Sequence, residues 1–335
     1  MACALGAEMK RREFIAIIGS GAAVGFPMSA LAQQAGRRIA ALWPFKETDP
    51  DGQAVFEAFR SGLRELGRGG IQIESRWGGG NVETTKAYAA ELVRLSPEII
   101  FAHLNAQLGP LSRETRTIPI VFVGASDPVG AGYVASLSHP GGNITGFTLF
   151  EPTLAGKWLG VLKEITPGLA RVGLLINPDT AILRGTFYSK AFETAAALLG
   201  IEPVYAKVFN VQDIDAAIAA LAAQPGSALI VAPDTFSEVN GDLIVALANE
   251  RRLPAVYAIS RYAKRGGLIS YGPNQYDAVK RATTYVDRIL KGEKPGDLPV
   301  QAPVKFDLVV NLKTAKALGL TIAEAFLLRA DEVVE

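Results

Sequence analysis

Ile118-Pro-Ile-Val-Phe-Val123 is an apolar run rich in β-branched residues, and Gly124-Ala-Ser-Asp-Pro128 follows it directly. A strand that is apolar on both faces belongs inside a parallel sheet covered by helices. In such sheets ligands collect at the carboxyl ends of strands, where small polar loops such as Gly124–Pro128 lie. Reading upstream, the same alternation of short β-rich runs and longer helical patterns recurs. Strands are expected at Ile39–Phe45, Ile71–Arg76 and Glu98–His103, with helices at Gln53–Leu66, Thr84–Leu95 and Leu108–Arg116.

Downstream, the stretch Ser126–Thr148 is rich in glycine and proline, and the helix Thr153–Glu164 follows. The alternation then restarts, with strands at Val172–Ile176, Glu202–Lys207, Ala228–Ala232, Ala255–Ala258 and Gly267–Tyr271. Helices are expected between them at Leu183–Leu199, Asp213–Ala223 and Ser237–Glu250, and beyond them at Tyr276–Leu290. A linker at 291–299, a strand at Lys305–Val310 and a last helix end the chain. The fold class is therefore α/β, with two Rossmann-like, doubly wound lobes around a central cleft.

Composition narrows the function. The 335 residues include 34 Lys plus Arg and 33 Asp plus Glu, a net charge of +1. That lacks the cationic surplus a nucleic-acid binder needs to displace counterions. One cysteine and two histidines exclude a disulfide framework and argue against a Cys/His metal cage. Residues 1–32 read as an export signal. Lys10-Arg11-Arg12 precedes an uncharged stretch, Phe14–Met28, which ends in Ser-Ala-Leu-Ala with cleavage expected after Ala32. The run is shorter than the ~20 residues of a permanent membrane span. Sec and twin-arginine export both stay open, as do Met1 and Met9 as initiator. Residues 1–32 carry three cations, two anions and Cys3, so the remainder holds 31 charges of each sign. The expected product is a cysteine-free periplasmic protein that is not embedded in the membrane.

Catalytic motifs are mostly absent. There is no P-loop and no His-Glu-x-x-His. Gly124-Ala-Ser126-Asp-Pro128 approaches a nucleophile elbow, but its last glycine is replaced by proline and no base is placed beside Ser126. His103 and His139 suit structural roles. No catalytic residue, metal ligand or cofactor is expected.

Strand-end loops supply the candidate ligand-binding residues. They are Phe45 after the first strand, Asn105 and Ala106 after the third, and Ser126 and Asp127 after the fourth. The second lobe supplies Asp179, Asp234, Thr235, Tyr257 and Tyr271. Asp127, Asp179, Asp234 and Thr235 are equally good helix caps, so capping and ligand contact both stay open for each. A zwitterion would place its carboxylate on backbone N–H groups and hydroxyls near Asn105, Ala106 and Ser126. Its ammonium would meet Asp234, and its side chain would lie on Phe45, Tyr257 or Tyr271.

Asp127-Pro-Val…Pro140-Gly-Gly-Asn-Ile-Thr-Gly146, Lys157-Trp-Leu159, Gly266-Gly-Leu-Ile-Ser-Tyr-Gly272 and Val304-Lys-Phe-Asp-Leu-Val-Val310 carry a resemblance. The chain resembles the substrate-binding proteins of ABC transporters related to tryptophan/tyrosine-type solute-binding proteins. The resemblance implies a type I periplasmic-binding-protein architecture with three crossovers. Lobe 1 would comprise 37–147 plus 272–303, and lobe 2 148–271 plus 304–335. It also implies a monomer without cofactor that hands a small organic ligand, such as an aromatic amino acid, to an ABC permease. The alternatives are a ligand-sensing module for a membrane receptor and an exported α/β hydrolase. The loop Trp43–Asp51 departs from the small-residue version of the amino-acid binders.

Overall fold

The computed structural model describes residues 37–335; the export signal expected at 1–32 lies outside the described residues. The first lobe alternates β1 (Arg38–Trp43), α1 (Pro50–Glu65), β2 (Gln72–Trp77), α2 (Val82–Arg94), β3 (Ile99–His103), α3 (Asn105–Glu114), β4 (Ile120–Val123) and β5 (Ile144–Phe147). These strands form a parallel sheet in the order β2-β1-β3-β4-β5. Strands β3, β4 and β5 are fully buried, as the unbroken apolar runs require, while edge strand β2 is only half-buried.

The second lobe begins with α4 (Leu154–Ile165), β6 (Arg171–Ile176), a 3-10 turn (Ile182–Tyr188), α5 (Ser189–Leu199), β7 (Glu202–Lys207), α6 (Val211–Ala222) and β8 (Ser227–Val231). It continues through α7 (Thr235–Val239), α8 (Gly241–Glu250), β9 (Ala255–Tyr257), α9 (Ser260–Lys264) and β10 (Ile269–Pro273). Helix α10 (Gln275–Leu290) returns to the first sheet, where it packs along α1: Arg68 Nε donates to Asp287 at 2.7 Å, and Lys280 pairs with Glu65 at 2.8 Å. Strand β11 (Phe306–Asn311), α11 (Leu312–Ala317), α12 (Glu324–Leu327) and β12 (Glu332–Val334) finish the chain on the second sheet. That sheet runs β12-β11-β10-β9-β8-β6-β7, with β11 antiparallel to β10.

The two sheets are thus joined by three connections: after β5, after β10, and before β11. They are bonded to one another. Gln301 N–H donates to Gly146 O at 2.9 Å, Thr148 N–H to Gln301 O at 2.9 Å, and Asn274 N–H to Lys305 O at 3.0 Å. Two of these connections leave their sheets through glycines with no room for a side chain. A Cβ on Gly146 would lie 2.1 Å from Phe122 O, and one on Gly272 would lie 1.8 Å from Ala258 O. Because backbone cannot rotate aside as a side chain can, Gly272→Ala is expected to cost about 1–3 kcal/mol. The loss should be read as a lower urea midpoint with an unchanged m-value; an unchanged midpoint would mean that β9 yields.

Side-chain caps explain half of the twelve α-helix starts among the described residues. Asp49 accepts from the N–H groups of Asp51 (2.8 Å) and Gly52 (3.1 Å), with Pro50 opening α1. Asn81, Asn210, Asn274 and Asn311 cap α2, α6, α10 and α11 in the same manner.

Several expected elements differ from those observed. The helix expected at Leu183–Leu199 begins only at Ser189, because Leu183 (φ 48°), Arg184 (φ 54°) and Gly185 (φ 86°) are left-handed. Gly185 is pressed onto Ile176, where a Cβ would meet Cδ1 at 2.3 Å. The helix expected at Ser237–Glu250 is broken at Asn240, whose φ −103° and ψ 13° leave the helical region; the next residue, Gly241, lies against the Tyr262 ring, where a Cβ would come within 2.0 Å. Strands β5 and β12 and helix α9 carry too few periodic residues to be read from sequence.

Candidate ligand-binding site

The cleft between the sheets is built from their strand-end loops. Leu104, Asn105, Gly124, Ser126 and Phe150 face Thr180, Ile182, Pro233, Asp234, Thr235 and Glu238 around a narrow cavity that, counted together with the open solvent at its mouth, spans about 370 Å³. A shallower space continues outward past Ala106, Gln107, Tyr133, Asp179 and Leu183.

One wall is the start of α3. Strand β3 ends at His103, and Leu104 turns the chain with φ 72° while its N–H donates to Val123 O at 2.8 Å. Positive φ is costly for a branched residue and is retained only where surroundings enforce it. Leu104 has no polar side chain, so α3 starts without a side-chain cap. Its first N–H groups therefore have no partner within the helix. Beside them Gln107 is fully buried with both amide atoms unpartnered, and the Asn105 Oδ1 is also unpartnered. The uncapped helix start, with the unpartnered Gln107 Nε2 beside it, favours an anion.

The opposite wall is acidic, but not where the sequence points. Asp234 caps α7: Oδ1 accepts from Ser237 N–H (2.8 Å) and Thr180 Oγ1 (3.0 Å). Its Oδ2 accepts from Asn177 N–H (3.2 Å) and Ser237 Oγ (3.3 Å). Burial pushes this carboxyl up, opposed by the N–H groups of Ser237 and Asn177. Four donors from its own lobe occupy the carboxylate, so it is built as a structural cap. Asp234→Ala is expected to lower stability by about 2–3 kcal/mol, through the lost cap and the stranded donors. Chemical denaturation measures this, and a loss below ~0.5 kcal/mol would contradict it. Glu238, one turn further along, also lines the cavity with its side chain only 4% exposed.

Of the residues singled out from sequence, Asn105, Ser126, Asp234 and Thr235 meet in the inner cavity, and Ala106 and Asp179 line its mouth. Phe45 lies behind the wall, 5.8 Å from the His103 ring and 5.6 Å from the Arg261 guanidinium carbon. Three others also do not join the cavity lining. Asp127 turns back to accept from Gly130 N–H at 2.9 Å. Tyr257 points into the core against Gly267 and the Tyr262 ring. Tyr271 stacks on Phe306 at 6.0 Å beneath Lys157, because β10 pairs there with β11. Neither tyrosine supplies the aromatic wall expected of it; Phe150 and Ile182 supply apolar surface instead. Phe150 follows the first connection and carries no motif. Glu238 was signalled only by its i+4 spacing from Asp234, which places both on one helical face.

His103 lies fully buried between Trp43 and Phe45, with neither ring nitrogen partnered. Burial, aided by nearby Arg261, lowers its pKa to about 3, so the ring is neutral. Among the described residues, no cluster of His, Cys, Asp and Glu could hold a metal ion, and no helix is long and apolar enough to cross a membrane.

Comparison with known proteins agrees with this architecture. A tyrosine-binding protein of Clostridioides difficile (strain R20291) is 24% identical over 250 residues, covering 75% of this chain and 71% of that protein. An ABC domain from Streptococcus pneumonia in complex with L-Trp superposes with a TM-score of 0.82 at 23% identity, over 89% of this chain and 99% of that one. A ligand-free, open substrate binding protein from Clostridium difficile covers the same shares at 24% identity with a TM-score of 0.66. The pattern of the family described as ABC transporter substrate binding protein matches residues 49–334. Two sheets, three connections and a polar cleft thus accompany a match over most of the sequence, and the chain belongs to the ABC transporter substrate binding protein family.

Proposed function

We propose that the protein is the periplasmic receptor of an ABC importer and binds a free α-amino acid with an aromatic or other apolar side chain. One observation carries this reading. The uncapped start of α3 and the Glu238 carboxylate line the same cavity from opposite lobes. They offer one pole for a carboxylate and one for an ammonium. Asn105, Ala106, Ser126 and Thr235 would supply further polar contacts, and Leu104, Phe150, Ile182 and Pro233 the apolar surface. The tyrosine and L-Trp named for two relatives support this ligand class. Residues 37–147 plus 272–303 and 148–271 plus 304–335 would move as the two lobes about the three connections. Ligand binding would shift the balance from open to closed, with no bond made or broken, and a monomer would deliver the ligand to its permease.

A thermal-shift panel on the purified protein tests the proposal. Tyrosine, tryptophan or another apolar amino acid at about 100 times its Kd adds ~2.7 kcal/mol to the folded state. A clear rise in Tm is expected with at least one of them and none with the matching amine or acid alone. An equal rise with the amine or acid would overturn the two-pole site.

A further inference from the structure

Glu238 faces the cavity on one side and Arg261 on the other. The Arg261 side chain is 6% exposed and its Nη2 contacts the Glu238 carboxylate. Its Nε reaches across the cleft to Asp51 Oδ2 at 3.1 Å, and its guanidinium lies over the Phe45 ring. Asp51 and Phe45 belong to the first sheet's loops and helices, whereas Glu238 and Arg261 belong to the second's. Arg265, one turn along, adds a second contact to Asp51 Oδ2 at 2.9 Å and one to Asp242 at 3.0 Å. Asp51 does not line the cavity.

A single guanidinium therefore joins a carboxylate in the cavity wall to a carboxylate on the opposite lobe. Separating the lobes would break the Asp51 contacts and expose the Phe45 face, leaving Arg261 with Glu238 and Tyr262 of its own lobe. A buried ion pair adds little net stability over an apolar one, but losing one partner strands the other charge. Such a pair is suited to fixing one arrangement against another.

We propose that Arg261 is a positioning residue that couples the cavity to lobe closure: docked on Asp51, it fixes Glu238 toward the ligand ammonium. Asp51, which touches no ligand, then sets the population and lifetime of the closed state. The ammonium contact rests on the amino-acid reading above; the cross-lobe bridge does not.

The test uses spin labels at Val82 and Leu183, exposed residues on opposite sides of the cleft mouth, with Cys3→Ser. Pulsed EPR gives the closed fraction with and without tyrosine or tryptophan, and stopped-flow fluorescence gives the tyrosine dissociation rate. Asp51→Asn is expected to lower the closed fraction at least fivefold and to speed dissociation at least tenfold, with Tm unchanged. Arg261→Lys, which keeps the charge but reaches one carboxylate at a time, should fall between the wild type and Asp51→Asn. A wild-type closed fraction in Asp51→Asn would overturn the proposal, as would a wild type that never closes. If the wild type closes but ignores amino acids, the ligand reading fails, and the Asp51→Asn closed fraction still decides the coupling.

Discussion

Glu238→Gln is expected to weaken binding of the amino-acid ligand about 100-fold, equivalent to ~2.7 kcal/mol, with a smaller loss of Tm, because Arg261 keeps Asp51 as a carboxylate partner. The amide keeps the shape of the carboxylate and one acceptor oxygen, so packing beside Thr235 and Arg261 survives. It loses the charge proposed to meet the ligand ammonium, and charge-assisted hydrogen bonds are roughly twice as strong as neutral ones. Truncating one partner of a buried charge pair commonly costs about 2–5 kcal/mol, which brackets this figure. Asp234→Asn should behave in the opposite way. Its oxygens already serve four donors of its own lobe, so it should lower Tm more than affinity. Calorimetric titration of both variants checks the pair. A wild-type Kd in Glu238→Gln would move the ammonium site elsewhere.

His103 should make the protein acid-sensitive. Its ring is fully buried without a hydrogen-bond partner, and its pKa is lowered to about 3 from 6.5, first by burial and then by Arg261. Between pH 6.5 and about 3 the unfolded chain binds a proton that the folded chain refuses. This contribution to stability is therefore fully present above pH 6.5 and falls as pH falls, by up to about 1.4 kcal/mol per unit. At pH 5 the loss is about 2 kcal/mol relative to neutral pH. His103→Leu removes the titrating group in a site already lined by Trp43 and Phe45. Urea unfolding from pH 7.5 to 5 should show a slope flatter than wild type by that amount. Parallel slopes would mean that water or a neighbour stabilises the imidazolium.

The α/β alternation was legible because buried parallel strands must be apolar on both faces. Ile118–Val123 and Val172–Ile176 announce themselves in that way. The family resemblance was legible in the connection sequence Pro140–Gly146, whose last glycine has no room for a Cβ against Phe122. The loops that make the cavity could also be found, since parallel sheets converge them at one edge. Which residue in each loop faces the ligand could not. Asp234 and Glu238 are both acidic and one turn apart, and only the positions of Asn177, Thr180 and Ser237 decide that the first is a cap. Tyr257 and Tyr271 sit at strand ends as a cavity wall would, yet β9 aims the first at Gly267 and β11 draws the second onto Phe306. N–H groups near Asn105 and Ala106 could be expected to face the cleft, but the lack of a side-chain cap at Leu104 could not be read from sequence. On the proposed reading, that missing cap would leave the helix start open to a ligand carboxylate. The Asp51–Arg261 bridge spans 210 positions in sequence and has no local signature.

Titration calorimetry with free tyrosine and tryptophan, and with their N-acetyl and carboxamide derivatives, tests the two-pole site most directly. The account predicts one-to-one binding of at least one free amino acid. Each singly blocked derivative should bind at least ~30-fold more weakly, because either block strands one buried pole of the cavity. Equal binding of the blocked derivatives, or binding of neither free amino acid, would contradict it.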